Sequence, residues 1–266
     1  MSQKPLTTSR SVSFVGLIIL SILLMSPINV YLSPFLGEEL AFLIYYTGAI
    51  GIPYLIINKI SPNEDKSDLS IGNPLIIIYS IIIIIALQLS VSLPIANQIP
   101  MSDEIKELFN QFGDQTGIFS ILTIVVIGPI IEELIFRGYI LHRLLKSYSP
   151  VHAILVSSIL FGAVHLNPWQ FVSAFVIGCF AGWVYYRTNN ILYAIIIHIA
   201  NNAFAFSGFL FTDSENRMDE TLVESFGGGM NYLIIILVMV PLGLYSFNLL
   251  KNLFDSIPKT ELKNEE

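Results

Sequence analysis

The chain has 266 residues, of which 54% are hydrophobic and 12% charged, and its mean hydropathy is +0.70. A water-solvated shell around one core needs more charge than that, so most of the surface is expected to face lipid. The net charge of −7 comes with positive residues scattered singly, which excludes a basic face for phosphate backbones and leaves no nucleic acid as an expected partner. The one cysteine, Cys179, has no second cysteine to pair with, and it reads as a small packing residue.

The N-terminal MSQKPLTTSR and the apolar run behind it have the outline of a signal peptide, with Lys4 and Arg10 in front. From Ser11 to Leu32, however, the run has a full span's length, since about 20 helical residues cross ~30 Å of hydrocarbon. It reads as an uncleaved first span. Eight apolar runs follow one another at 12–32, 40–58, 73–95, 117–141, 151–166, 168–187, 190–210 and 230–250. Their length and uniform apolarity point to helices, which satisfy their own backbone groups where no water can. The Ile-rich third run would favour strand in a soluble protein, and membrane context overrides that. The expected fold is an all-α integral membrane protein with about eight transmembrane helices in a single polytopic membrane domain, 1–266.

Between the third and fourth runs, SDEIKELFNQF begins with an N-cap signal at Ser102 and places Ile105, Leu108, Phe109 and Phe112 at helical spacing. It reads as a helix lying along the outer interface. Eleven of the thirteen Lys and Arg residues fall on one set of connections, and only Lys106 and Arg217 on the other. Both termini are therefore expected to be cytoplasmic. The outer connections are acidic, with Asp103, Glu104, Glu107 and Asp114 in one and Asp213, Glu215, Asp219, Glu220 and Glu224 in another. Gly227 to Gly229 read as a flexible entry to the last span.

Ionisable and amide residues inside the spans carry the most information, because a charge at bilayer depth costs at least ~2.5–3.5 kcal/mol on insertion scales. Three clusters stand out: Glu132, Glu133 and Arg137 in the fourth run, His165 in the fifth, and His198 with Asn201 and Asn202 in the seventh. On a helix Glu133 and Arg137 share a face, while Glu132 points about 100° away. Glu133 can pair locally with Arg137, which leaves Glu132 to face a pocket as a general base. Pro129 leaves the Val125 carbonyl without its helical donor and predicts a local kink. Phe161 and His165, and likewise His198 and Asn202, stand four apart on one face. His142 and His152 read as interfacial residues without chemistry.

Peptide hydrolysis needs an activated water, a proton donor for the leaving amine and a donor for the oxyanion. Glu132 with His165 could deprotonate the water, and His198 with Asn202 could bond the oxyanion. Glu132, His165 and His198 could instead hold zinc, although the HExxH arrangement is absent. A buried ion-pair cluster that fixes helix packing is the bland reading of the same residues.

At these positions the chain resembles the CPBP family of intramembrane proteases, which includes the CAAX prenyl endopeptidases and the Abi proteins linked to bacteriocin processing and self-immunity. EExxxR is matched by Glu132, Glu133 and Arg137, FxxxH by Phe161 and His165, and HxxxN by His198 and Asn202. The family's motif region falls at about 117–210, with the motif helices around an intramembrane cavity. The resemblance implies Glu132 as base, His165 at the water, His198 and Asn202 at the oxyanion, and Glu133, Arg137 and Phe161 in support. It further implies a membrane-associated protein or peptide substrate, prenylated or bacteriocin-like, and a bacterial plasma membrane as location. Family members are described both as metalloproteases and as glutamate-dependent enzymes; the preferred reading requires no cofactor, with zinc as the other. A non-catalytic immunity or scaffold protein and an ion or proton transporter are the alternative functions.

Overall fold

The computed structural model describes residues 6–62, 68–114, 116–211 and 220–256, with the backbone alone for residues 112 and 209–211. Ten helices follow in chain order: α1 (Thr8–Leu36), α2 (Glu38–Ile60), α3 (Pro74–Ala96), α4 (Asp103–Asp114), α5 (Ile118–Leu144), α6 (Pro150–Ala163), α7 (Pro168–Thr188), α8 (Ile191–Phe211), α9 (Leu222–Ser225) and α10 (Gly229–Ser256). Among the described residues the only β pairing is an isolated bridge between Asp68 and Asn190. The protein is thus an all-α, multi-pass integral membrane protein, with seven helices among the described residues long and apolar enough to cross a bilayer.

One of the eight apolar runs is the exception in length. It is the fifth in order, and its helix α6 has 14 residues, about 21 Å at 1.5 Å per residue against a core of ~30 Å. The helix stops at Ala163 because the chain turns through Leu166, whose φ of 59° is left-handed, before Asn167 caps α7. Even so, the residues flanking α6 reach opposite ends of the bundle, Tyr148 meeting Thr8 and Trp169 meeting Ile99. One pole joins Thr8 to Tyr148 and His152, Arg143 to Ser61, Asn190 to Ser70 and Arg187 to Asp255. The opposite pole joins Gly117 to Glu39, Trp169 to Ile99 and Leu222 to Asn97. The eight segments therefore alternate between two poles in the pattern expected from the Lys and Arg distribution. Lys4, Lys66, Arg217, Lys259 and Lys263, which entered that count, lie outside the described residues, as do Asp213, Glu215 and Asp219.

Local sequence accounts for the helix starts. Asn73–Pro74, Ser149–Pro150 and Asn167–Pro168 each place a capping side chain before a proline at the first helical position, where the missing N–H costs nothing and φ is preset. Two helices carry stretches of π-type bonding just ahead of an internal proline: Gln88–Ser92 before Pro94 in α3, and Leu122–Ile127 before Pro129 in α5. A third stretch, Leu134–Leu141, also lies in α5. Such bulges recur where side chains must be re-aimed.

α6 and α7 form a tight hairpin, because a Cβ on Gly178 would lie 2.9 Å from the Ser158 Cβ. Small residues at such a crossing let helices approach closely where lipid supplies no hydrophobic drive. The core gathers Phe136, Tyr139, Phe161, Ile177, Tyr185 and Ile197 from α5 to α8, whereas α1 and α10 leave Leu24, Val30, Leu237 and Leu244 exposed toward lipid. At the second pole α4 is amphipathic and sets Phe109 edge-on to Trp169, at 6.1 Å between ring centroids. Leu108, expected on the apolar face, is exposed.

Candidate active site

The three polar clusters meet in the bundle interior. Arg137 Nη1 donates to Glu133 Oε1 at 2.8 Å, and both side chains are fully buried. The i, i+4 pairing expected on one helix face is present. What the sequence did not disclose is that Glu133 is shared: His198 Nδ1, from α8, lies 2.9 Å from the same oxygen. The other imidazole nitrogen, Nε2, stands 3.6 Å from Glu132 Oε2. Both glutamates, the arginine and His198 thus form one buried group. Because Arg137 is buried in this group, it is not an inner-loop charge and drops out of the orientation count.

Phe161 joins this group to His165. The Arg137 guanidinium lies over its ring, 4.7 Å from the centroid, and His198 and His165 each meet it edge-on at 5.3 Å. The Phe161 ring therefore lies between the two imidazoles and in contact with both. His165 Nδ1 lies 2.9 Å from the Phe161 carbonyl. A carbonyl only accepts, so Nδ1 carries the hydrogen and Nε2 presents its lone pair.

Asn202 is held from two sides. Its Nδ2 donates to the Ile124 carbonyl at 2.9 Å, and its Oδ1 accepts from Asn201 Nδ2 at 3.1 Å. Ile124 lies in a π-bonded stretch, where the donor would be five residues on, at Pro129, which has no N–H. The proline does orphan a carbonyl, as expected; the π register moves the vacancy from Val125 to Ile124, and Asn202 fills it. Asn201 Oδ1 in turn accepts from Gln88 Nε2, which also donates to Ser173 Oγ. Gln88 is 3% exposed, at the start of the α3 bulge. As a lone amide in an Ile-rich run, it carried a burial cost that could have marked it.

The other unexpected member is Tyr46 of α2, whose hydroxyl donates to Glu132 Oε1. A tyrosine in an apolar helix ordinarily reads as an interface anchor, and no spacing relation links it to residue 132. His142 corrects another expectation. It is 1% exposed and bonded to the Tyr185 hydroxyl at 2.9 Å, because its turn of α5 packs inward; His152 is exposed and stacks on Tyr148. Among the described residues no three His, Cys, Asp or Glu side chains stand together as a metal site.

Comparison with known proteins falls on the same helices. Residues 114–204 match the family described as type II CAAX prenyl endopeptidase Rce1-like. That stretch contains EExxxR, FxxxH and HxxxN entire, and the resemblance read from the motifs is shown there. "UPF0177 protein YxdF" of Lactococcus lactis is 32% identical over 90 residues, 34% of this chain and 49% of that protein. "Putative membrane peptidase YdiL" of Bacillus subtilis is 34% identical over 79 residues, 30% of this chain and 32% of that protein. The matches span about half of the first relative's length and a third of the second's. No solved structure matches. Tyr46 and Gln88 both lie outside the matched stretch.

Proposed function

We propose that the chain is an intramembrane endopeptidase that hydrolyses a peptide bond of a membrane-associated protein or peptide, with Glu132 as general base and no required cofactor. The observation that carries this reading is the division of labour between adjacent carboxylates. Glu133 is committed to Arg137 and His198, whereas Glu132 turns Oε2 toward His198 Nε2 at 3.6 Å. The name of the Bacillus relative, "Putative membrane peptidase YdiL", and the CAAX-type family match support the same class.

In the proposed reaction a water lies between Glu132 Oε2 and His165 Nε2, both of which accept hydrogen bonds. Glu132 takes a proton as the water oxygen bonds to the scissile carbonyl carbon. The oxyanion is met by His198 in its doubly protonated form and by the second N–H of Asn202, whose first is engaged by Ile124. Glu132 then delivers its proton to the amine nitrogen as the C–N bond breaks, releasing a carboxylic acid and an amine. The pole bearing Arg143 and Lys146 is assigned to the cytoplasm by the positive-inside rule.

Quantitative peptidomics of membranes carrying wild type or Glu132→Gln tests this directly. The wild type should generate cleavage products that are lost in the variant at equal protein abundance; identical peptide profiles would overturn the reading.

A further inference from the structure

The helices ahead of the family-matched stretch are not merely peripheral. Along α2, Glu39, Phe42 and Tyr46 stand at i, i+3 and i+7 and so share one face. That face docks along α5. Glu39 Oε1 accepts the Gly117 N–H at 2.8 Å, where α5 begins. Phe42 packs on Tyr46 at 5.7 Å between centroids. Two turns along, the Tyr46 hydroxyl reaches Glu132.

The seat for the tyrosine ring is built into α5. A Cβ on Gly128 would lie 3.2 Å from Tyr46 Cε1, 3.4 Å from its hydroxyl and 2.8 Å from the Thr123 carbonyl. A side chain at 128, one turn ahead of Glu132, would therefore clash with the Thr123 carbonyl and crowd the ring. The glycine and the π-bonded turn in front of it admit the ring, and the ring delivers a donor to the carboxylate.

We infer that Tyr46 is a positioning residue for Glu132: its hydroxyl holds Oε1, so that Oε2 alone is presented to the water and to His198. This deepens the peptidase reading and rests on it. A carboxylate on a flexible glutamate stem can rotate and exchange its oxygens. A charge-assisted hydrogen bond from a phenol that is itself wedged against Gly128 removes that freedom. The base is thereby oriented from a helix that carries none of the family motifs.

The test uses the full chain in lipid nanodiscs with a hydrophobic carbodiimide as probe, because that reagent adds to buried carboxyl groups without any substrate. Labelling is read at Glu132 and Glu133 separately by peptide mass spectrometry. Tyr46→Phe keeps the ring and removes the donor. It is expected to label Glu132 about tenfold faster, since a hydrogen bond to a charged group is being removed, while labelling at Glu133 stays as in wild type. Tyr45→Phe is the control, because the Tyr45 hydroxyl donates to the Ile22 carbonyl of α1; its labelling should not change. In parallel, Tyr46→Phe should slow the cleavages lost in Glu132→Gln by about 10- to 100-fold, the scale for a misplaced catalytic group, with the thermal unfolding midpoint held within a degree or two. Wild-type labelling at Glu132 in Tyr46→Phe would overturn the inference. Persistence of all cleavages in Glu132→Gln would instead overturn the peptidase reading, whatever the labelling shows.

Discussion

The α1–α2 pair and the α5–α8 group solve different problems with similar composition. In α1 only 22% of the most apolar stretch is buried within the protein, against 44% in α5, α7 and α8. The pair is solvated by lipid over most of its surface, and its side chains are interchangeable wherever they meet acyl chains. The α5–α8 group buries two glutamates, an arginine and a histidine, and each constrains the next. Tyr46 is the point where the first region enters the second. Hydropathy alone does not distinguish them; what a side chain touches does.

The largest effects should come from the second region. Glu132→Gln is expected to lower the cleavage rate by about 10²- to 10⁴-fold, the usual contribution of a general base, at unchanged abundance in the membrane. Arg137→Leu leaves the Glu133 charge with His198 alone and should destabilise the protein by about 3–5 kcal/mol, as breaking a buried pair does. Thermal unfolding in detergent reads this, and a midpoint equal to wild type would show that the cluster does not bear on stability. Gly178→Val forces a branched side chain toward Ser158 and should cost about 1–3 kcal/mol by overpacking the α6–α7 crossing. Leu24→Ala, on the lipid-facing side of α1, should change stability by no more than about 0.5 kcal/mol. A large loss there would erase the contrast between the regions.

The smallest effect concerns the connection between α2 and α3. Hydrogen bonds from the Ser70 hydroxyl and amide hold the Asp68 carboxyl below its usual range. A carboxylate with a depressed folded value contributes stability that is present above its unfolded value and lost as pH falls through the folded one. Amide exchange at Ser70 should therefore quicken only in acid, and Asp68→Asn should quicken it at neutral pH and flatten the dependence. Unchanged exchange in Asp68→Asn would show that the turn is held by other contacts.

Much of this was legible beforehand, for identifiable reasons. Span positions follow from hydropathy, and the Glu133–Arg137 pair follows from a four-residue spacing that a helix converts into contact. The family relation rests on three such local spacings. Contacts between distant segments left no comparable trace: Glu133 with His198, Asn202 with the Ile124 carbonyl, and Tyr46 with Glu132 depend on how helices pack. The burial of His142 was misjudged because its neighbours Arg143 and Lys146 suggested a water-facing end, whereas Arg143 is itself buried and bonded to Ser61 and Tyr139. The run ending at residue 166 overstated α6, because apolarity continues through Val164 and Leu166 after helical geometry has ceased.

That shortfall has a mechanical consequence. A helix of about 21 Å cannot match a hydrocarbon slab of ~30 Å, and the bilayer beside it must thin or let solvent in at one end. His165 stands just beyond the end where the helix stops. The elastic deformation of the surrounding lipid is thus concentrated beside the end of the bundle where α6 stops. The depth of that deformation follows acyl chain length, so membrane thickness sets the mechanical load on the turn that carries His165.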